Sequence, residues 1–275
     1  MRQVSYPSLV FRTHRGFGIF SILVAGTLQF LVIKAITTID TTSILPTFIS
    51  QLPERFRMII NENLISQLTV EGGAAFGFNH PIMMVLLAIN AVSIPARHVS
   101  GEIEDGTMEF LLAHPFGRTR LLLSLWGVTG LMNLLIVCGA LLGSVTGMTV
   151  YHTMSGGVVV KLLEIGVNLW LLFLLVQSVA LLASTYGTKG SRPAMWTAVV
   201  VLTFYVLHFS TPLWDALRVT TRFNMFTYYQ PQKLMFGQGS FGQGSFGQDI
   251  LVLAVLTGIC LFLALHQFNR RDIPG

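Results

Sequence analysis

Six apolar runs, each close to 20 residues, constrain this chain more than any other feature. A hydrocarbon layer of about 30 Å needs about 20 residues of helix at 1.5 Å per residue. The runs cover residues 17–36, 80–97, 121–145, 162–184, 194–212 and 250–268. Only 11% of the residues are charged, against roughly 25% in an ordinary soluble domain. Mean hydropathy is +0.67. This excludes a soluble globular enzyme and a disordered chain. Outer-membrane barrels are excluded too, because their strands alternate apolar and polar residues and these runs do not. The expected fold is all-α: one polytopic domain over residues 1–275 with six transmembrane helices.

The second run is the weakest, carrying Asn90, Ser93 and Pro95. Asn79 is placed to cap its start, with Pro81 in the first turn, and Pro95 should kink it near its end. Arg2, Arg12 and Arg15 precede the first run, as in a signal peptide. That run is longer than a signal core and no small-x-small site follows it, so a retained span is expected.

Orientation follows from Lys and Arg. With both termini in the cytoplasm, four short inner segments hold Arg2, Arg12, Arg15, Arg97, Arg118, Arg120, Lys189, Arg192, Arg270 and Arg271. The longer outer segments and span ends hold Lys34, Arg55, Arg57, Lys161, Arg218, Arg222 and Lys233. The density favours cytoplasmic termini in a multi-pass protein of the inner or plasma membrane. The net charge of +5 thus reports topology, not a nucleic-acid partner.

Two outer loops stand out. In residues 37–79, Phe48, Ile49, Leu52, Phe56, Ile59, Ile60, Leu64 and Leu68 recur at helical spacing. They predict amphipathic helices on the outer surface, broken at Pro53. Residues 236–248 repeat Phe-Gly-Gln-Gly-Ser with period five, the composition of a flexible linker.

Catalytic signatures are missing. There is no G-x-x-x-x-G-K-[ST], H-E-x-x-H or G-x-S-x-G. Gly187-Thr188-Lys189-Gly190-Ser191 lacks the first motif's loop and leading strand. The seven histidines, among them His80, His98, His114 and His208, show no ligand spacing and read as interfacial or capping residues. Cys138 and Cys260 lie in apolar runs and read as buried small hydrophobes. No catalytic residue, cofactor or metal is expected in this chain. An ionisable residue inside a span is a functional candidate by default, and Glu164 qualifies. It is either an interfacial partner of Lys161 or a pathway residue near Asn168. Gln177, deeper in the same run, is placed to bond across helices.

One inner segment differs from its surroundings. Residues 102–109 hold Glu102, Glu104, Asp105 and Glu109, four of the chain's twelve acidic residues, on the face that should be basic. On a continuous helix Glu102, Asp105 and Glu109 share an arc of about 60°, with Ile103 and Phe110 about 90° away. An acidic stripe beside an apolar one suits a surface helix meeting a protein rather than anionic lipid. A solvated acidic loop is the plainer alternative. Gly106 is placed to split the helix, so that Thr107 caps a second one ending before Pro115.

Gly106-Thr107-Met108-Glu109-Phe110-Leu111-Leu112, followed by Pro115 and Arg118, resembles the signature of type-two ABC transporter permeases. In that family an acidic run leads into Gly-Thr-Leu-Glu-Leu-Leu-Leu, then Pro and Arg. Phe78-Asn79-His80-Pro81, Tyr228-Tyr229-Gln230-Pro231 and Phe268-Asn269-Arg270-Arg271-Asp272 resemble further family landmarks, so the likeness spans nearly the whole chain. Leu125 departs from it, where the family often has a Lys. The resemblance implies an exporter-type permease that pairs with a second copy, as a homodimer or with a close relative. It also implies two separate ATPase subunits, which carry ATP and Mg. Segment 98–120 would couple to them through Glu102, Glu104, Asp105, Gly106, Thr107, Glu109, Pro115 and Arg118, with Phe110 anchoring the helix against the spans. The rivals are a lipid-modifying membrane enzyme, which needs convergent polar residues inside the spans, and a passive channel or scaffold, which needs no ATPase.

Overall fold

A computed structural model describes residues 6–38, 69–112, 117–211, 214–237 and 246–271. Residues 47–68 of the amphipathic segment expected over 47–70, Pro115 and most of the five-residue repeat lie outside them. The described chain is helical: α1 (Tyr6–Thr38), α2 (Val70–Phe78), α3 (Pro81–Pro95), a π-helical turn (Ala96–Gly101), α4 (Glu102–Glu104), α5 (Met108–Leu112), α6 (Arg118–Val150), α7 (Val158–Tyr186), α8 (Ser191–Ser210), two 3-10 segments (Asp215–Phe223 and Met225–Tyr228), α9 (Pro231–Met235) and α10 (Phe246–Arg270). Six helical stretches are long and apolar enough to cross a membrane, α2 to α4 acting together as the second. Several outrun their apolar cores. The 33 residues of α1 and of α6 extend for about 50 Å, well beyond the hydrocarbon layer.

α1 and α6 form the most extensive helix pair. Lipid tails are as apolar as leucine, so spans must associate by close packing. Here α6 presents Gly139, Gly143 and Gly147 one turn apart. A Cβ on Gly143 would fall 2.1 Å from the Gly26 carbonyl oxygen, and one on Gly139 2.8 Å from that of Ile22. The two backbones therefore touch where any side chain would hold them apart. This G-x-x-x-G-x-x-x-G register is written in the sequence but is not part of the hydropathy signal.

α7 is the central span, packed against α2, α3, the π turn, α6, α8, α9 and α10. Its polar groups bond across to α6. Gln177 Nε2 donates to the Trp126 carbonyl at 3.0 Å, and Asn133 Nδ2 lies 3.5 Å from Gln177 Oε1. The Trp126 indole donates to Ser178 Oγ at 2.8 Å, and the Trp170 indole to the Gly130 carbonyl at 2.9 Å. Gln177 thus bonds between helices as its position suggested.

At the end opposite the start of α1, two sequence landmarks meet. The Tyr229 hydroxyl donates to the Phe78 carbonyl at 3.1 Å, and the Tyr205 hydroxyl approaches the Asn79 carbonyl at 3.4 Å. Burial, and secondarily Tyr205, pushes the Tyr229 phenol well above its ordinary range. The cap of α3 is His80, not Asn79. His80 Nδ1 accepts from Ile82 N at 3.2 Å, while Asn79 closes α2. The expectation for the cysteines is corrected as well: Cys138 is exposed and Cys260 partly exposed. An apolar run carries residues on every face of its helix, so hydropathy alone does not place a residue in the core.

Candidate functional site

The basic end gathers the start of α1, the end of the second span, the loops before α6 and α8, and the end of α10. Its geometry starts at Pro95. Proline has no N–H to donate one turn back, and the helix opens into the π turn without stopping. His98, Val99 and Ser100 of that turn are buried. Ser100 Oγ donates to the Ser184 carbonyl at 2.8 Å, filling an acceptor that the end of α7 leaves open.

α4 closes in a Schellman pattern. Gly106 N donates to the Ile103 carbonyl at 3.2 Å and Thr107 N to the Glu102 carbonyl at 3.0 Å. Gly106 takes φ +69°, a conformation that costs other residues energy. The expected split at Gly106 is therefore observed. Thr107 stands at the N-cap of α5, its carbonyl accepting from Leu111 N. Its hydroxyl donates back to the Glu102 carboxylate and carbonyl, which ties the two short helices together.

The split changes where the acidic side chains go. Glu102 is held by Thr107 and lies 3.8 Å from His98 Nδ1. Glu104 Oε2 accepts from Gly190 N at 2.9 Å, and Asp105 lies 3.4 Å from Arg97. Glu109 is exposed and has no hydrogen bond or ion pair to a described residue. The continuous acidic stripe expected from a single helix is absent, because Gly106 resets the helical phase. The anchoring role expected of Phe110 is corrected for the same reason. Phe110 is 74% exposed, whereas Met108 is 1% exposed and packs in a cluster with Val10, Ile94, Val99, Leu121 and Leu125.

Arg118 turns inward. Its Nη1 donates to the Arg271 carbonyl at 2.6 Å and lies 3.3 Å from that of Phe268, closing the end of α10. Arg271 does the same for α7, donating to the Thr185 and Gly187 carbonyls at 2.6 and 2.9 Å. Partial burial lowers the Arg271 guanidinium from its ordinary value. Two more landmarks thus meet in space. The sequence did not signal the pairing of His14 with His98, whose Nε2 atoms lie 3.1 Å apart across 84 positions.

The other candidate pair sits away from this end, on the first half of α7. Asn168 is 1% exposed, and its Oδ1 meets no donor among the described residues. Glu164 is half-buried.

The arrangement holds a short surface helix on one buried methionine, with its next two side chains facing out, at the end of a six-span helical bundle. It describes a multi-pass membrane protein that carries a short helix at the end of its bundle. The family model for ABC-2 family transporter proteins matches residues 12–273, and the chain belongs to that family. It is a membrane transport component of the cell membrane, as the sequence resemblance implied. Comparison with curated proteins finds no match.

Proposed function

We propose that this chain is the permease subunit of an ATP-driven exporter, and that α5 is where a separate ATPase docks. ATP and Mg bind on that partner, two ATPase subunits serve one complex, and a second permease copy completes a homodimer. The observation that carries this reading is the split fate of the acidic segment. Glu102, Glu104 and Asp105 are used within the chain, while Glu109, next to the Met108 anchor on α5, is exposed. Glu109 offers a charge to a basic partner and Phe110 an apolar contact. Glu102, Asp105, Gly106 and Thr107 shape the segment, and Arg118 fixes its far end to α10. Glu164 and Asn168 remain candidates for the pathway.

The test is Glu109→Lys. Breaking a desolvated charge pair costs about 2–5 kcal/mol in binding, so co-purification of the ATPase should collapse. Insertion and dimerisation, read by native mass spectrometry in nanodiscs, should persist because the site lies outside the spans. Unchanged ATPase capture by the lysine variant would sink the assignment of α5. A monomer with full transport activity would sink the dimer.

A further inference from the structure

The contact between the acidic segment and the loop before the fifth span has a second use, and its reading rests on the permease proposal above. Glu104 Oε2 accepts from Gly190 N at 2.9 Å. Gly190 is the residue immediately before α8, where backbone N–H groups lack helical partners and a carboxylate is favoured. Beneath that bond the two backbones touch. A Cβ on Gly190 would lie 3.1 Å from Gly101 Cα and 3.2 Å from Gly101 N. A Cβ on Gly187 would lie 2.7 Å from Ser100 Oγ and 2.3 Å from Pro193 Cγ. Loop 187–190 is therefore seated on the π turn by two glycines, held at Gly190 by the Glu104 carboxylate and at Gly187 by Arg271.

Within the chain α8 buries only Pro193, Thr197 and Val201 along its 20 residues, and Pro193 packs on the seated loop. The outer end of α8 is tied elsewhere, by Tyr205 to Asn79 and by Asn224 Nδ2 to the Phe204 carbonyl at 2.8 Å. A helix fixed at one end and resting on a joint at the other follows the joint. We propose that Glu104 is a positioning residue. It clamps the start of α8 to the coupling segment, so that a displacement delivered to α5 by the ATPase swings the fifth span. The exposed bond contributes little static stability; its value is in transmitting displacement.

The test uses the permease–ATPase complex with Cys138 and Cys260 replaced by serine and a bimane fluorophore on Trp196→Cys, an exposed site on α8. Mg-ATP with vanadate should shift the bimane emission. Glu104→Ala should lose most of that shift while the ATPase stays bound. Glu104→Gln, whose amide oxygen still accepts from Gly190 N, should keep most of it. Gly190→Ala, which wedges the joint against Gly101, should lose it as well. A normal shift in Glu104→Ala with the ATPase bound overturns the inference and leaves the permease reading intact. So does a glutamine variant as defective as alanine, or no shift in the parent complex. Failure of any ATPase to co-purify with the parent chain overturns the permease reading, and this inference with it.

Discussion

Gly16, Gly106 and Gly143 stand in three different environments, and substitution separates them. At Gly143 a methyl group would strike the Gly26 carbonyl at 2.1 Å, so Gly143→Ala must push α1 off α6. Overpacking of this kind costs about 1–3 kcal/mol, and the unfolding midpoint in detergent should drop. At Gly16 nothing lies within 4 Å of an added Cβ. Gly16→Ala should be neutral or raise the midpoint, since alanine is favoured over glycine in a helix by up to about 1 kcal/mol. Gly106 has open space but φ +69°, so Gly106→Ala should cost about 1–2 kcal/mol through backbone strain. That loss should be local and visible as faster amide exchange over residues 102–112. Gly106 was legible in the sequence because a glycine between two short acidic stretches signals a break. The outward turn of Phe110 was not, because a break at Gly106 leaves the next helix free to start at any angle.

Among the elements, helix ends explain what the sequence landmarks are for. The end of α7 leaves carbonyls that Ser100 and Arg271 satisfy, and the end of α10 leaves others that Arg118 satisfies. Arg271→Gln is two bonds shorter and brings its amide short of the Thr185 and Gly187 carbonyls that one Nη1 serves. Amide exchange should accelerate over residues 184–189, with little change at the core of α7. Arg118→Gln should act likewise on residues 266–271. Such partly exposed bonds are worth about 1 kcal/mol each, so the global midpoint should move little. The number of spans was legible because hydrocarbon thickness sets run length directly. Their ends were not, since polar helical turns beyond the hydrocarbon are stabilised by partners distant in sequence, such as Arg118 on Arg271. Hydropathy likewise missed the α1–α6 contact, because its glycine ladder is a feature of spacing and adds almost nothing to an apolar sum.

Across the whole molecule, the two ends are built differently. The end away from the start of α1 is closed by chain that folds back onto the core: Phe226, Tyr229, Met235 and Phe246 are all 2% exposed or less. Phe246 opens the last unit of the Phe-Gly-Gln-Gly-Ser repeat. Deleting residues 241–245 removes one unit and restores the same spacing up to Phe246, so assembly should survive. Phe246→Ala should instead destabilise by about 3–5 kcal/mol, which a thermal melt would show. The basic end is built around the π turn, which inserts a residue into the second span without breaking it. That turn absorbs the extra residue. A regular helix advances the winding by about 100° per residue and the wider π turn by less, so five α-helical residues cover nearly the rotation of the six at 96–101. Removing one of the six should close the turn to α-helix and leave Met108 in its socket and Glu104 facing Gly190. Removing one from the regular helix before Pro95 should instead turn both away by about 100°, so the second span can lose at the π turn a residue that it cannot lose elsewhere.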